Sequence, residues 1–367
     1  MTSFSPKKVL LTGGAGFIGS NLAHWLCKNT TIETLVVLDK LTYAGNLLSL
    51  VDLELPSGCE YAFVRGDICN KAVVNQLFEK YRFDAVLHLA AESHVDRSIE
   101  DASAFIQTNV MGSFVLLDAA RRAWPQGQAA RFVMVSTNEV YGALGETGLF
   151  TEETPYAPNS PYAASKASAD HLARSFFKTY GLPVIITNCS NNYGPRQFPE
   201  KLIPLTIGNA QRGEPLPVYG EGRQVRDWLH VEDHCEGLWA ALTRGAVGEK
   251  YNFGGGHEEP NLGIVQKIAD LVDIALDREP GTARNLITFV KDRLGHDFRY
   301  AINPAKAREL LGWAPSHTFD SGLEDTVRWY VENTLWVKST AKENHERTYG
   351  ENCGQDLLRR SYDPFTI

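Results

Sequence analysis

No run of apolar residues in this 367-residue chain approaches the ~20 that a membrane-spanning helix needs. Lys7 and Lys8 lead into only a short apolar stretch, Val9 to Leu11, before glycines intervene, so no signal peptide is expected. An excess of positive charge is also missing. The formal net charge is −8, which leaves no overall basic field for nucleic acid or an anionic membrane. An anionic substrate would have to be held by local arginines and lysines. The six cysteines (Cys27, Cys59, Cys69, Cys189, Cys235 and Cys353) contain no Cys-x-x-Cys pair, and no histidine cluster has ligand spacing. That pattern predicts reduced thiols, a cytoplasmic location and no metal centre. Internal repeats and low-complexity segments are lacking as well.

What the chain does have is 43% hydrophobic residues, enough to bury one large core or two modest ones. Short apolar runs read as strands at Val9 to Leu11, Leu35 to Leu38, Ala62 to Val64, Ala85 to Leu89, Phe132 to Ser136 and Val184 to Thr187. Helical stretches separate most of them. Such alternation predicts an α/β fold, a doubly wound parallel sheet of the Rossmann type covered on both faces. From about Ser190 prolines and glycines become dense and the alternation lapses, as expected of a smaller C-terminal substrate-binding lobe. The expected division is a Rossmann domain over 1–190 with returning segments near 229–257 and 318–337. The lobe would then comprise 191–228 and 258–317, and a polar tail would run over 338–367. Within the later part, Asp233 to Leu242 and Leu262 to Leu276 read as helices.

The first strand runs into Gly13-Gly14-Ala15-Gly16-Phe17-Ile18-Gly19 and then a helix, and Asp39 closes the second strand about twenty residues on. Strand, glycine turn, helix and acidic residue together form a dinucleotide fingerprint. Glycines let the backbone approach a pyrophosphate, whose charge sits against the helix N-terminus. Asp39 can accept hydrogen bonds from ribose hydroxyls and would repel a 2′-phosphate, so NAD is expected rather than NADP. Asp67 and Ile68, at the end of the third strand, would flank the adenine.

Tyr162 and Lys166 lie one helical turn apart in a segment opened by Ser160-Pro161, so both project from one face. An ammonium near a phenol favours the phenolate, which predicts a lowered Tyr162 pKa and a base for a sugar hydroxyl. Thr137, Asn138 and Glu139 follow the fifth strand, at the carboxyl edge where open α/β sheets carry their chemistry. A glutamate beside the Tyr–Lys pair implies a second proton abstraction, this time from carbon.

With these features, and with Leu38 to Asn46, His88 to Ser98, Asn188 to Pro195, Phe198 to Pro204 and Arg226 to Leu229, the chain resembles the dTDP-glucose 4,6-dehydratase family. That family lies in the extended short-chain dehydrogenase/reductase superfamily. The likeness runs from about Lys8 to Val337. It implies that Tyr162, helped by Lys166 and Thr137, drives oxidation at sugar C4 with hydride passing to NAD⁺. Glu139 would remove the C5 hydrogen, water would leave from C6, and hydride would return there. The cofactor contacts it implies are Gly13, Gly16, Phe17, Ile18, Gly19, Asp39, Lys40, Leu41, Thr42, Asp67, Ile68, Leu89, Ala90, Ala91, Ser93, Thr108, Tyr162, Lys166 and Asn192. The nucleotide-sugar contacts it implies are Ser93, Thr137, Asn191, Lys201, Leu202, Pro217, Val218, Tyr219, Arg226, Asn261, Arg293 and His296, with Tyr349 of the tail a further candidate. A homodimer formed through helices near Ser98 to Arg122 and Ser160 to Tyr180 is also implied.

The chain departs from the family pattern at Asn138, where an aspartic acid protonates the departing C6 hydroxyl. Leu294 and Phe298 replace an expected proline and arginine. A nucleotide-sugar 4-epimerase, which shares the fold, cofactor and Tyr–Lys pair, is the alternative enzyme, though it has no use for Glu139. A catalytically weakened nucleotide-sugar-binding protein is the non-enzymatic alternative.

Overall fold

A computed structural model describes residues 4–292 and 296–340. Arg293, Leu294 and Tyr349 lie outside the described residues, as does most of the expected tail.

Seven strands form one parallel sheet in the order β10-β6-β5-β4-β1-β2-β3. They are β1 (Lys8–Thr12), β2 (Thr34–Asp39), β3 (Glu60–Arg65), β4 (Ala85–His88), β5 (Arg131–Thr137), β6 (Val184–Cys189) and, after an excursion into the lobe, β10 (Lys250–Phe253). The first six are the strands expected from the apolar runs. All but the edge strand β3 are buried along most of their length because helices cover both faces. One face packs Leu22, Leu26, Leu238 and Leu242 of the helices Phe17–Asn29 and Val231–Arg244 against β1, β2 and β5. The other packs Leu77, Leu116, Ala169 and Phe176 of the helices Lys71–Tyr81, Ser113–Ala123 and Pro161–Tyr180. Strand order reverses between β1 and β4, which opens a crevice at their carboxyl ends.

The lobe is built from β7 (Asn191–Tyr193), β8 (Leu216–Tyr219), β9 (Val225–His230), β11 (Glu258–Pro260), β12 (Ile287–Val290) and β13 (Arg299–Tyr300). β9 pairs with β7, β11 and β13, while β12 pairs with β8. Its core joins the helices Leu202–Arg212 and Asn261–Ala275 to Phe319, Leu323, Val327 and Tyr330 of the helix Phe319–Glu332. Within the segment 318–337, expected to return to the sheet, the helix Phe319–Glu332 therefore packs in the lobe, while Trp336 beyond it donates to Ser49 at 2.8 Å. The place beside β10 and the helix Val231–Arg244 is taken by Ala307, Leu311 and Trp313. The apolar stripe of Phe319–Glu332 is long enough to cover either layer, so its sequence does not say which one.

Asp227 on β9 is 1% exposed, and burial pushes its carboxyl up to about 7 despite the backbone N–H of His257 donating to it at 3.2 Å. The unfolded chain releases this proton near pH 4, whereas the folded chain keeps it until about 7. The associated stability is full below pH 4 and is lost as pH rises toward 7, by about 4 kcal/mol at most. Asp227→Asn should flatten the fall in Tm between pH 5 and 8 relative to the parent protein. Parallel Tm–pH curves for the two would rule this out.

Candidate active site

β1 ends in a turn that only small residues can make. Gly13 has φ +71°, and a Cβ there would lie 2.6 Å from the backbone N of Ala90. A Cβ on Gly19 would lie 2.1 Å from the carbonyl oxygen of Gly13. The helix Phe17–Asn29 begins at Gly16 with no side-chain cap, so its first N–H groups face an open cradle. Asp39 closes β2 and is fixed beside the cradle, accepting from the N–H of Ala15 at 2.9 Å and of Leu41 at 2.8 Å. An unsubstituted, uncapped helix start with a carboxylate at the next strand end fits the pyrophosphate and ribose of a dinucleotide.

A cavity of about 240 Å³ extends from this cradle along the crevice. Its wall contains Gly13, Gly16, Phe17, Ile18, Gly19, Asp39, Lys40, Thr42, Asp67, Ile68, Leu89, Ala90, Ala91, Ser93, Thr108, Tyr162 and Lys166, all expected, together with Lys201. Two expected cofactor residues lie off it. Leu41 is 7% exposed, packed in the core beneath the crevice with a left-handed φ of 57°. Asn192 is engaged elsewhere, donating to the Ser190 carbonyl at 2.9 Å and meeting His234 Nδ1 at 2.8 Å.

At the far end of the cavity the helix Pro161–Tyr180 is capped by Ser160, with Pro161 in its first turn, and carries Tyr162 and Lys166 inward. Both are buried, at 9% and 4% exposure. Thr137 ends β5 and caps the short 3₁₀ turn Asn138–Tyr141, its Oγ1 accepting from the Glu139 N–H at 3.3 Å. The Thr137 hydroxyl also hydrogen-bonds the Tyr162 phenol. Asn188 on β6 ties the turn down by donating to the Thr137 carbonyl at 3.1 Å.

The electrostatics differ from the expectation. Burial first, and then the Glu139 carboxylate, hold the Tyr162 phenol well above its ordinary value. Lys166 is itself depressed by burial, which the Asp170 carboxylate only partly offsets, and its Nζ donates to the Val135 carbonyl at 2.8 Å. The Thr137 hydrogen bond favours the phenolate.

Apart from Ser93 and Lys201 on the cavity wall, expected nucleotide-sugar residues such as Tyr219, Arg226, Asn261 and His296 lie outside it. Tyr219 and His296 meet edge to face at 6.3 Å, and His296 Nδ1 lies 2.7 Å from Asp292. Gln224 donates to the same carboxylate at 3.0 Å, while its backbone carbonyl accepts from Asn261 at 3.0 Å. The buried Asn261 Oδ1 has no hydrogen-bond partner among the described residues. Arg226 lies over the Tyr300 ring at 4.5 Å, and Tyr300 in turn feels the Glu139 carboxylate. This stack runs from Arg226 of the lobe toward Glu139. Val218, expected to flank a base, is instead 2% exposed in the lobe core, because alternation along β8 turns it inward. Pro217 is half-buried on the same strand, Leu202 begins the helix Leu202–Arg212, and Asn191 begins β7.

Several residues that hold the site were not anticipated. Asn109, in a π-helical stretch, donates to the Glu92 carbonyl at 2.9 Å and to Ser165 Oγ at 2.8 Å, joining the cavity wall to the helix Pro161–Tyr180. Asp170 accepts from Ser136 at 2.7 Å and Tyr156 at 2.9 Å behind Lys166. Its spacing of one turn after Lys166 was a usable signal; Asn109 offered none. Across the cavity mouth, Tyr43 donates to Glu200 at 3.2 Å under the Arg97 guanidinium, 3.6 Å above its ring.

A glycine-cradled helix start, a carboxylate at the second strand end and a buried Tyr–Lys pair beside a Thr-x-Glu turn define a dinucleotide-binding protein of the short-chain dehydrogenase/reductase class. The family model described as GDP-mannose 4,6 dehydratase matches residues 10–326. A dTDP-glucose 4,6-dehydratase from Neisseria meningitidis serogroup B is 56% identical over 339 residues, covering 90% of this chain and 95% of that one. The chain belongs to this family of nucleotide-sugar 4,6-dehydratases. The crystal structure of a dTDP-glucose 4,6-dehydratase from Streptomyces venezuelae, with NAD bound, superposes with a TM-score of 0.82 at 44% identity, covering 91% of this chain and 99% of that one. A UDP-glucose 4-epimerase from Thermus thermophilus, complexed with NAD, reaches a TM-score of 0.77 at only 30% identity, covering 89% of this chain and 99% of that one.

Proposed function

We propose that this protein is an NAD-dependent lyase that converts dTDP-glucose to dTDP-4-keto-6-deoxyglucose, with elimination slowed by Asn138. The observation that carries this reading is the gathering of Tyr162, Thr137, Asn138 and Glu139 at one end of a crevice whose other end is a dinucleotide cradle. Gly13, Gly16, Gly19 and Asp39 would hold NAD, which when bound supplies the acceptor for a hydride from C4 and later the donor of one to C6.

The protein's own groups handle the protons. Tyr162 takes the proton of the C4 hydroxyl, with Thr137 Oγ1 orienting the phenol and Lys166 fixed by Val135 beside it. A ketone at C4 acidifies the hydrogen on C5, and Glu139 removes it. Asn138 would bond the leaving C6 hydroxyl but has no proton to give it, so that proton must come from water or from the Glu139 carboxyl once it has taken the C5 hydrogen. Ser93 and Lys201 would meet the sugar nucleotide from the cavity side. Asn191, Arg226, Asn261, Tyr219 and His296 would receive the diphosphate and base. Epimerisation gives Glu139 no task, and the identity to the epimerase is far lower.

The chemistry also suggests the setting. Free Cys27, Cys59, Cys69, Cys189 and Cys235 suit the reducing cytoplasm, where NAD and sugar nucleotides meet. Among the described residues no helix is long and apolar enough to cross a membrane. Exposed Ile99, Ile106, Met111 and Tyr180, in the segments expected to pair, are consistent with a homodimer.

Incubation with dTDP-glucose in D₂O should yield a 4-keto-6-deoxy product carrying one solvent deuterium at C5. A product that retained the substrate's C5 hydrogen would remove the role given to Glu139.

A further inference from the structure

Away from the crevice, where β9 passes into the helix Val231–Arg244, three side chains from distant parts of the chain converge. His230 is the last residue of the strand, Glu232 sits in the first turn of the helix, and His317 comes from the loop ahead of Phe319–Glu332. One ligand atom from each can be chosen so that all lie within 4.8 Å of one another. The His317 Nε2 to Glu232 Oε2 distance is 3.8 Å.

Two further observations distinguish this cluster from a chance meeting of polar groups. His230 is 5% exposed, yet neither of its ring nitrogens has a hydrogen-bond partner among the described residues. Leaving a buried imidazole unsatisfied is unfavourable unless something else meets it. His317 is held by the buried Asp233, whose Oδ1 lies 2.9 Å from His317 Nδ1 and whose other oxygen accepts the His317 backbone N–H at 3.1 Å. A carboxylate behind Nδ1 fixes the tautomer in which Nε2 is left as an electron-pair donor, the arrangement seen behind metal-bound histidines.

We propose that His230, Glu232 and His317 form a binding site for a divalent transition-metal ion, with Zn²⁺ best matched to two imidazoles, one carboxylate and a water. The site is separate from the dehydratase centre and does not depend on that reading. The two rings are stacked, with centroids 4.1 Å apart and planes at 34°, so coordination requires side-chain rotation to turn their nitrogens toward one point. Glu232 is exposed on the helix surface and gives the ion a route in. A bound ion would pin the loop before Phe319–Glu332 to the start of Val231–Arg244, joining the lobe to the sheet.

The test uses the full-length, untagged protein, treated with chelator and desalted, then titrated with Zn²⁺ by calorimetry and with Co²⁺ by visible absorbance. The expected result is one ion per chain, a rise in Tm with Zn²⁺, and a tetrahedral Co²⁺ spectrum. Glu232→Gln and His317→Gln should each weaken binding at least tenfold while leaving turnover of the nucleotide sugar unchanged. Should His317→Gln fail to fold, the exposed Glu232→Gln decides alone. Substoichiometric uptake, or affinity unchanged in Glu232→Gln, overturns the proposal and leaves a stacked histidine pair satisfied by buried water.

Discussion

Asn138→Asp should accelerate formation of the 4-keto-6-deoxy product by ~10²–10⁴-fold, the usual worth of a positioned general acid. Asn138 is 2% exposed, and its Oδ1 lies 3.4 Å from Thr137 Oγ1. Its amide nitrogen has no hydrogen-bond partner among the described residues. An amide there can bond the leaving oxygen but cannot transfer a proton to it. An aspartic acid of the same size would be buried next to the Glu139 carboxylate, and both influences favour its protonated form. Thus the substitution supplies an acid in the state that dehydration requires. Affinity for dTDP-glucose should barely change, because the residues proposed to hold the nucleotide are untouched. Product formation followed by mass spectrometry, alongside a substrate titration, separates the two effects. Equal rates for the parent and the variant would refute the proton-donor argument.

Tyr162→Phe should lower turnover by at least ~10²-fold, through loss of the base for the C4 hydroxyl. The ring is retained, so its edge-to-face packing on Phe105 at 6.3 Å survives and the helix Pro161–Tyr180 should keep its place. What disappears is the hydroxyl bonded to Thr137. Substrate mixing with the NAD-loaded variant should therefore give neither product nor a transient of reduced nicotinamide, while the Kd for the sugar nucleotide stays near that of the parent. A normal transient in the variant would move the first proton abstraction to another group. Burial and the Glu139 carboxylate hold the phenol high, and the Thr137 hydrogen bond works against them.

Much of the site can be read from local spacing. Gly13 to Gly19 followed by Asp39 is one βαβ unit, and its geometry is set by neighbours in sequence. Tyr162 and Lys166 share a face through helical periodicity, and Thr137 to Glu139 sit at a strand end for the same local reason. The residues that position these groups are different. Asn109 reaches Glu92 and Ser165 only because a π-helical stretch is folded against another helix. Tyr300 approaches Glu139 because β13 comes back to the lobe sheet beside Arg226.

The sequence by itself determined the parallel sheet, the dinucleotide cradle and the placing of Tyr162 with Lys166 on one helix face and of Thr137 to Glu139 at a strand end, since these follow from strand and helix periodicity and from short-range turn chemistry. Only the tertiary structure decided that the helix Phe319–Glu332 packs in the lobe, that Val218 faces its core, that Tyr162 is held high, and that His230 and His317 stack. Each of those depends on which distant surfaces exclude water together, and burial of that kind is a property of packed pairs of elements rather than of any one segment.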